Sequence, residues 1–94
     1  MPRGKRDIEA GLSGKGFRRD SRDHRVFIYY SFDGRRTPVR TKTSHGTSTR
    51  TIGDDLLSQM ARQCHLSRGD FLRLIDCPMS QDEYEDKLRT ANLI

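Results

Sequence analysis

The segment from His24 to Thr43 limits what this chain can fold into more than any other. His24–Phe32 is rich in β-branched and aromatic residues, and Asp33-Gly34 behind it is a strong two-residue hairpin signal. Arg35–Thr43 then reads as the returning strand, with Pro38 on an edge or with its missing N–H on the unpaired side. A two-residue turn sets the register. Phe32 faces Arg35, Tyr30 faces Thr37, Ile28 faces Val39, Val26 faces Thr41 and His24 faces Thr43, all on one largely apolar side. The other side carries Arg25 with Lys42, Phe27 with Arg40 and Tyr29 with Pro38. Aromatic rings interleaved with cations on one sheet face suit stacking on bases and holding phosphates. The competing reading is that another element covers Phe27 and Tyr29.

The rest of the chain supplies elements to flank this hairpin. Ile8 and Leu12, four apart, predict a short helix over 7–13 with Asp7 as its N-cap, ended by Gly14 and Gly16. Phe17-Arg18-Arg19 reads as a further short strand before the polar turn Asp20–Asp23. Ile52, Leu56, Leu57, Met60, Ala61 and Cys64 form an apolar stripe, which predicts a helix over 53–64 with His65 at its C-terminal end. Ser67-x-x-Asp70 and Ser80-x-x-Glu83 are capping-box starts for two more helices, separated at Pro78. The fold class is therefore α+β. The order is α-β-β-β-α, with a three-stranded antiparallel sheet covered on one face by helices, and a C-terminal helical extension follows.

Ninety-four residues, 32% hydrophobic and without Trp, support one thin core. The expected boundaries are a disordered basic tail over 1–6, the α+β domain over 7–67 and the extension over 68–94 packed on that domain. The extension is too short for a core of its own. Its apolar residues (Phe71, Leu72, Leu74, Ile75, Tyr84 and Leu88) pair either with the domain or with a second copy of the chain as a homodimer.

The net charge of +5 is unevenly spread. The first fifty residues hold 13 Lys/Arg against 5 Asp/Glu, and the remainder hold 5 against 8. A basic first half is the footprint of a polyanion binder, so nucleic acid is the expected partner. No apolar run is long enough for a membrane span and no secretory signal is legible, so the expected location is cytoplasmic, with Cys64 and Cys77 as reduced thiols. The Cys and His spacing fits no zinc pattern, and neither metal nor cofactor is expected. Residues 57–75 loosely follow a helix-turn-helix pattern, but His65 at the turn and the acidic second half argue against docking in a major groove.

Taken together, Gly16-Phe17, the His-led strand in Ser21-Arg22-Asp23-His24-Arg25-Val26-Phe27, and the second His in Thr43-Ser44-His45-Gly46 before Thr51-Ile52-Gly53-Asp54 resemble the HicA family of bacterial toxins. The resemblance covers roughly residues 7–67. Where the family usually reads Gly-Ser-His, this chain has Arg22-Asp23-His24. The resemblance implies a double-stranded-RNA-binding-like fold, mRNA cleavage without a metal, and neutralisation by a HicB-like antitoxin protein. It assigns acid–base catalysis to His24, because an imidazole titrating near neutrality can take the 2′-OH proton or protonate the leaving 5′-oxygen. His45 is the candidate second acid–base group or phosphate contact, its other readings being a loop cap or an antitoxin contact. Arg22, Arg25, Phe27, Tyr29, Arg40 and Lys42 are the candidate RNA-binding residues. The alternative function is a nucleic-acid-binding module that uses the same sheet face without catalysis.

Overall fold

The computed structural model describes residues 3–23, 25–43, 51–76 and 78–94. The elements are β1 (Arg3–Gly4), α1 (Lys5–Gly14), β2 (Phe17–Arg19), β3 (Val26–Tyr30), β4 (Arg36–Lys42), β5 (Thr51–Ile52), α2 (Asp54–Gln63), α3 (Arg68–Ile75) and α4 (Gln81–Thr90). β2, β3 and β4 form an antiparallel sheet in that order, so the described residues make a small α+β domain with a three-stranded sheet, the short β1–β5 pair and four helices. No helix among the described residues is long and apolar enough to cross a membrane.

The amino-terminal segment differs from the expected tail. Arg3 and Gly4 pair with Ile52 and Thr51, and Lys5 and Arg6 already belong to α1. Gly4 is the N-cap of that helix, and Asp7 lies inside its first turn. A carboxylate there still favours the helix, because it faces the positive end of the helix dipole.

The hairpin closes through three residues, Phe32-Asp33-Gly34. The Ser31 carbonyl accepts from Gly34 N–H, and Ser31 N–H donates to the Arg35 carbonyl, each at 2.9 Å. Gly34 has φ +82°, the left-handed conformation that completes a three-residue loop and that glycine adopts without a Cβ clash. The Ser31 hydroxyl also bonds the Asp33 carboxylate. The three-residue loop sets Ser31 opposite Arg35, and an irregularity on β4 adds two residues to that strand, so that Phe27 faces Thr41 and Ile28 faces Arg40. Because side chains alternate along a strand, the three-residue loop re-pairs the faces, so that Phe27 and Tyr29 join the side of Thr37, Val39 and Thr41, and Ile28 and Tyr30 that of Arg36 and Arg40.

The irregularity on β4 lies at Pro38. Ile28 pairs with Arg40 but Tyr30 pairs with Arg36, so Tyr29 alone spans Thr37, Pro38 and Val39. Pro38 thus sits in a bulge, where its missing N–H breaks no ladder bond. The Thr37 hydroxyl takes over the pairing, donating to the Tyr29 carbonyl at 2.8 Å and accepting from Val39 N–H at 3.2 Å.

All helices contribute to one core on the inner sheet face. Ile8 and Leu12 of α1, Leu57 and Met60 of α2, Phe71 and Leu74 of α3, and Tyr84 and Leu88 of α4 join Phe17, Phe27, Tyr29 and Val39 in it. The apolar residues of the extension are therefore covered by the chain's own core. Phe17, Tyr29 and Tyr84 form an aromatic trio, with centroids 5.2–5.8 Å apart. Both capping-box serines act as expected, Ser67 Oγ accepting from Asp70 N–H and Ser80 Oγ from Glu83 N–H. His65 ends α2 in the left-handed conformation (φ 63°), with the His65 and Leu66 amides bonded back to the Arg62 and Ala61 carbonyls.

Long polar side chains tie the extension to the rest. Lys15 Nζ donates to the Leu74 carbonyl at 2.7 Å, an acceptor in the last turn of α3, and to the Met79 carbonyl at 2.6 Å in the connection to α4. Glu85, buried on α4, accepts from the Tyr29 hydroxyl at 2.7 Å and from Phe32 N–H at 3.1 Å, and pairs with Arg89. Burial, with the Glu85 carboxylate beside it, pushes the Tyr29 phenol well above its ordinary pKa.

The α1–α3 crossing depends on a missing side chain. A Cβ at Gly11 would stand 2.8 Å from both Ile75 Cγ2 and the Ile75 carbonyl oxygen. Gly11→Ala should therefore lower stability by ~1–3 kcal/mol through overpacking, although Ala favours a helix by ~1 kcal/mol over Gly. A thermal melt checks this, and a variant as stable as the parent would mean that the two helices separate freely.

Candidate nucleic-acid interface

The outer face of the sheet is built from every second residue of three strands. In the observed register Arg18 of β2, Ile28 of β3 and Arg40 of β4 form one row across the sheet. Tyr30 with Arg36, and Val26 with Lys42, form rows on either side. Arg18, Arg36 and Arg40 are exposed, while Tyr30, Val26 and Lys42 are half-buried. Ile28 is 3% exposed yet lies outside the core cluster. Its neighbours on both sides are arginines, whose aliphatic stems are positioned to cover it while the guanidinium groups reach water. The Arg18 guanidinium stacks over the Tyr30 ring at 4.3 Å.

No outward position of these three strands carries an acidic residue. Asp23 stands at the rim. It accepts from Arg25 N–H at 3.0 Å and from Arg25 Nε and a terminal guanidinium nitrogen at 3.1 and 3.3 Å, with Lys42 Nζ 4.0 Å away. The hydrogen bonds from Arg25, aided by the charges of Arg25 and Lys42, hold the Asp23 carboxyl down at about 2. Arg25 is thus engaged within the chain. The next turn residue, Arg22, is exposed, with its backbone N–H on Asp20 Oδ1 at 3.0 Å. At the far edge, Gln63 Oε1 accepts from Thr41 Oγ1 at 2.7 Å and from Lys42 N–H at 3.0 Å, which blunts the edge of β4 where α2 ends.

The candidate residues divide accordingly. Arg40 and Lys42 lie on the outer face and Arg22 and Arg25 at its rim. Phe27 and Tyr29, at 1% and 0% exposure, belong to the core, so they are not the rings of that face. The reason is the three-residue loop, which turns them inward and turns Tyr30 and Ile28 outward. His24 and His45 lie outside the described residues. Arg18, Arg36 and Tyr30 were not singled out from the sequence. Placing Gly34 as the left-handed third residue of a Phe-Asp-Gly loop would have found Tyr30 and Arg36, and Arg18 follows from its pairing with Ile28.

Comparison of the chain with family models, curated proteins and solved structures gave no match.

Proposed function

We propose that this chain binds RNA through the outer face of its sheet and, in the manner of the HicA ribonucleases it resembles, cleaves it by acid–base catalysis at His24 without a metal. One observation carries the reading: Arg18, Arg36, Arg40 and Lys42 share a sheet face whose strands present no acidic side chain outward. Four cations spaced along adjacent strands match a phosphate backbone, and Arg18 over the Tyr30 ring offers a surface for a base. We propose a double-stranded-RNA-binding-like fold for residues 7–67, a reading supported by the run of α1, β2, β3 and β4 ahead of α2. In the sequence His24 stands between Asp23 and Arg25, just ahead of β3, and Arg25, Lys42 and Arg22 are the proposed groups that offset charge developing on the reacting phosphate. His45 is the proposed second acid–base or phosphate-binding group. A HicB-like antitoxin that covers such a face needs an acidic surface, and a toxin acting on mRNA works in the cytoplasm.

Binding without cleavage is the second reading, and it uses the same face. Asp23 favours it, since the carboxylate next to position 24 already engages Arg25 and lies 4.0 Å from Lys42.

The face itself is tested by replacing Arg36, Arg40 and Lys42 together with Ala. Each lost phosphate contact removes ~0.7 from the log–log salt slope for single-stranded RNA, so the slope should fall by about 2 and affinity by roughly 100-fold at 0.1 M salt. Fluorescence anisotropy across a salt series gives both numbers. A slope equal to the parent's would move the RNA-binding surface elsewhere on the protein.

A further inference from the structure

Alongside the cationic face, and sharing Arg18 and Tyr30 with it, lies a cavity. It has a volume of 320 Å³ and opens between the end of α1, the hairpin tip and the start of α4. Its lining includes Gly14, Gly16, Arg18, Tyr30, Phe32 and Gln81. That volume is near the lower end of the ~300–1,000 Å³ common for ligand sites.

Three features define what it would take. Phe32 is 58% exposed, the most exposed large hydrophobic side chain among the described residues, although the hairpin loop would accept a polar residue at that position. Its backbone is anchored through the N–H bond to Glu85, which holds the loop that presents the ring. Across the cavity, Arg18 over the Tyr30 ring supplies a cationic wall continuous with the outer sheet face. Gln81 uses one amide N–H on the Tyr29 hydroxyl at 3.4 Å, which leaves further donor and acceptor capacity for a base edge. Of the two glycines, Gly16 lets Gln81 and the Tyr29 ring lie close against the chain. A Cβ at Gly14 would meet nothing within 4 Å, and one at Gly16 would run into the Gln81 amide and, at 2.9 Å, the Tyr29 ring.

We propose that this cavity is a single-nucleotide subsite, in which one unpaired RNA base stacks on Phe32 and is read by Gln81 while Arg18 holds an adjacent phosphate. The inference rests on the RNA-binding reading above and makes it more specific. A duplex keeps its bases stacked and cannot fill the site, so the preferred substrate is single-stranded RNA or an extruded loop nucleotide. The continuous cationic wall favours RNA over a protein as the occupant of the exposed ring.

The sequence contains no Trp, so Phe32→Trp introduces a lone fluorophore at the subsite. Its emission should be quenched when unstructured single-stranded RNA is added, and should hardly change with a duplex of the same composition. Phe32→Ala in the full chain should weaken single-strand binding by about 5- to 100-fold, the cost of losing one base–aromatic stack, with duplex affinity and salt slope unchanged. Quenching equal for single strand and duplex, or a Phe32→Ala variant that binds single-stranded RNA as the parent does, overturns the subsite and leaves the cationic face standing. If the parent protein binds neither RNA, face and subsite fail together.

Discussion

A chain that stops after Ser67 will not fold. Such a truncation removes Phe71, Leu74, Ile75, Met79, Tyr84 and Leu88, all at most 6% exposed in the intact protein. It bares the ring faces of Phe17 and Tyr29 that meet Tyr84, and the side of α1 that meets α3 at Gly11. Each buried side chain of this size contributes ~1.5–3 kcal/mol, so the apolar burial forfeited is on the order of 10 kcal/mol, comparable with the whole ~5–15 kcal/mol stability of a small domain. The polar ties fall with it, since Lys15 loses its carbonyls and Tyr29 loses Glu85. Circular dichroism of residues 1–67 should show no cooperative melt. In the intact chain, amides 71–75 and 84–88 should exchange slowly. A truncated protein that melts cooperatively at the parent's temperature would show that the extension is an accessory.

The second large effect is chemical. His24→Ala should reduce RNA cleavage by ~10²–10⁴-fold, the usual cost of removing one acid–base group, while affinity and melting temperature stay near the parent's. The backbone after this position is pinned. Arg25 N–H is held by Asp23, and the Arg25 carbonyl accepts from Thr43 N–H at 2.8 Å and Thr43 Oγ1 at 3.2 Å. Measuring His45→Ala in parallel separates a second acid–base group, which removes one limb of the pH–rate profile, from a phosphate contact, which raises KM alone. If folded His24→Ala cleaves at the parent's rate, that residue leaves the mechanism. If the parent cleaves no RNA with or without added metal, binding without catalysis is the function.

The two outcomes bear on different parts of the molecule, and so did legibility in the sequence. Element order and type could be read directly because each depends on near neighbours. Ile8 and Leu12 on one helical face, the capping serines Ser67 and Ser80, and the β-branched and aromatic run through Tyr30 all report local geometry. The basic character of the first half was likewise plain from counting.

Which side of the hairpin meets solvent was a different matter. It turned on whether the loop holds two residues or three, and Asp33-Gly34 is compatible with both. The choice rests on Gly34 in the left-handed conformation and on Glu85, distant in sequence, accepting the Phe32 N–H. Because strand side chains repeat every two residues, that one residue moved Phe27 and Tyr29 into the core and set Tyr30 on the cationic face. The helices' burial followed the same rule, since a stripe such as Phe71–Leu74 states that it must be covered but not by what. Local preference and charge count thus settled what this chain is made of. Only the packing of α4 against the hairpin, through contacts more than fifty residues apart in sequence, decided which face it offers to a partner.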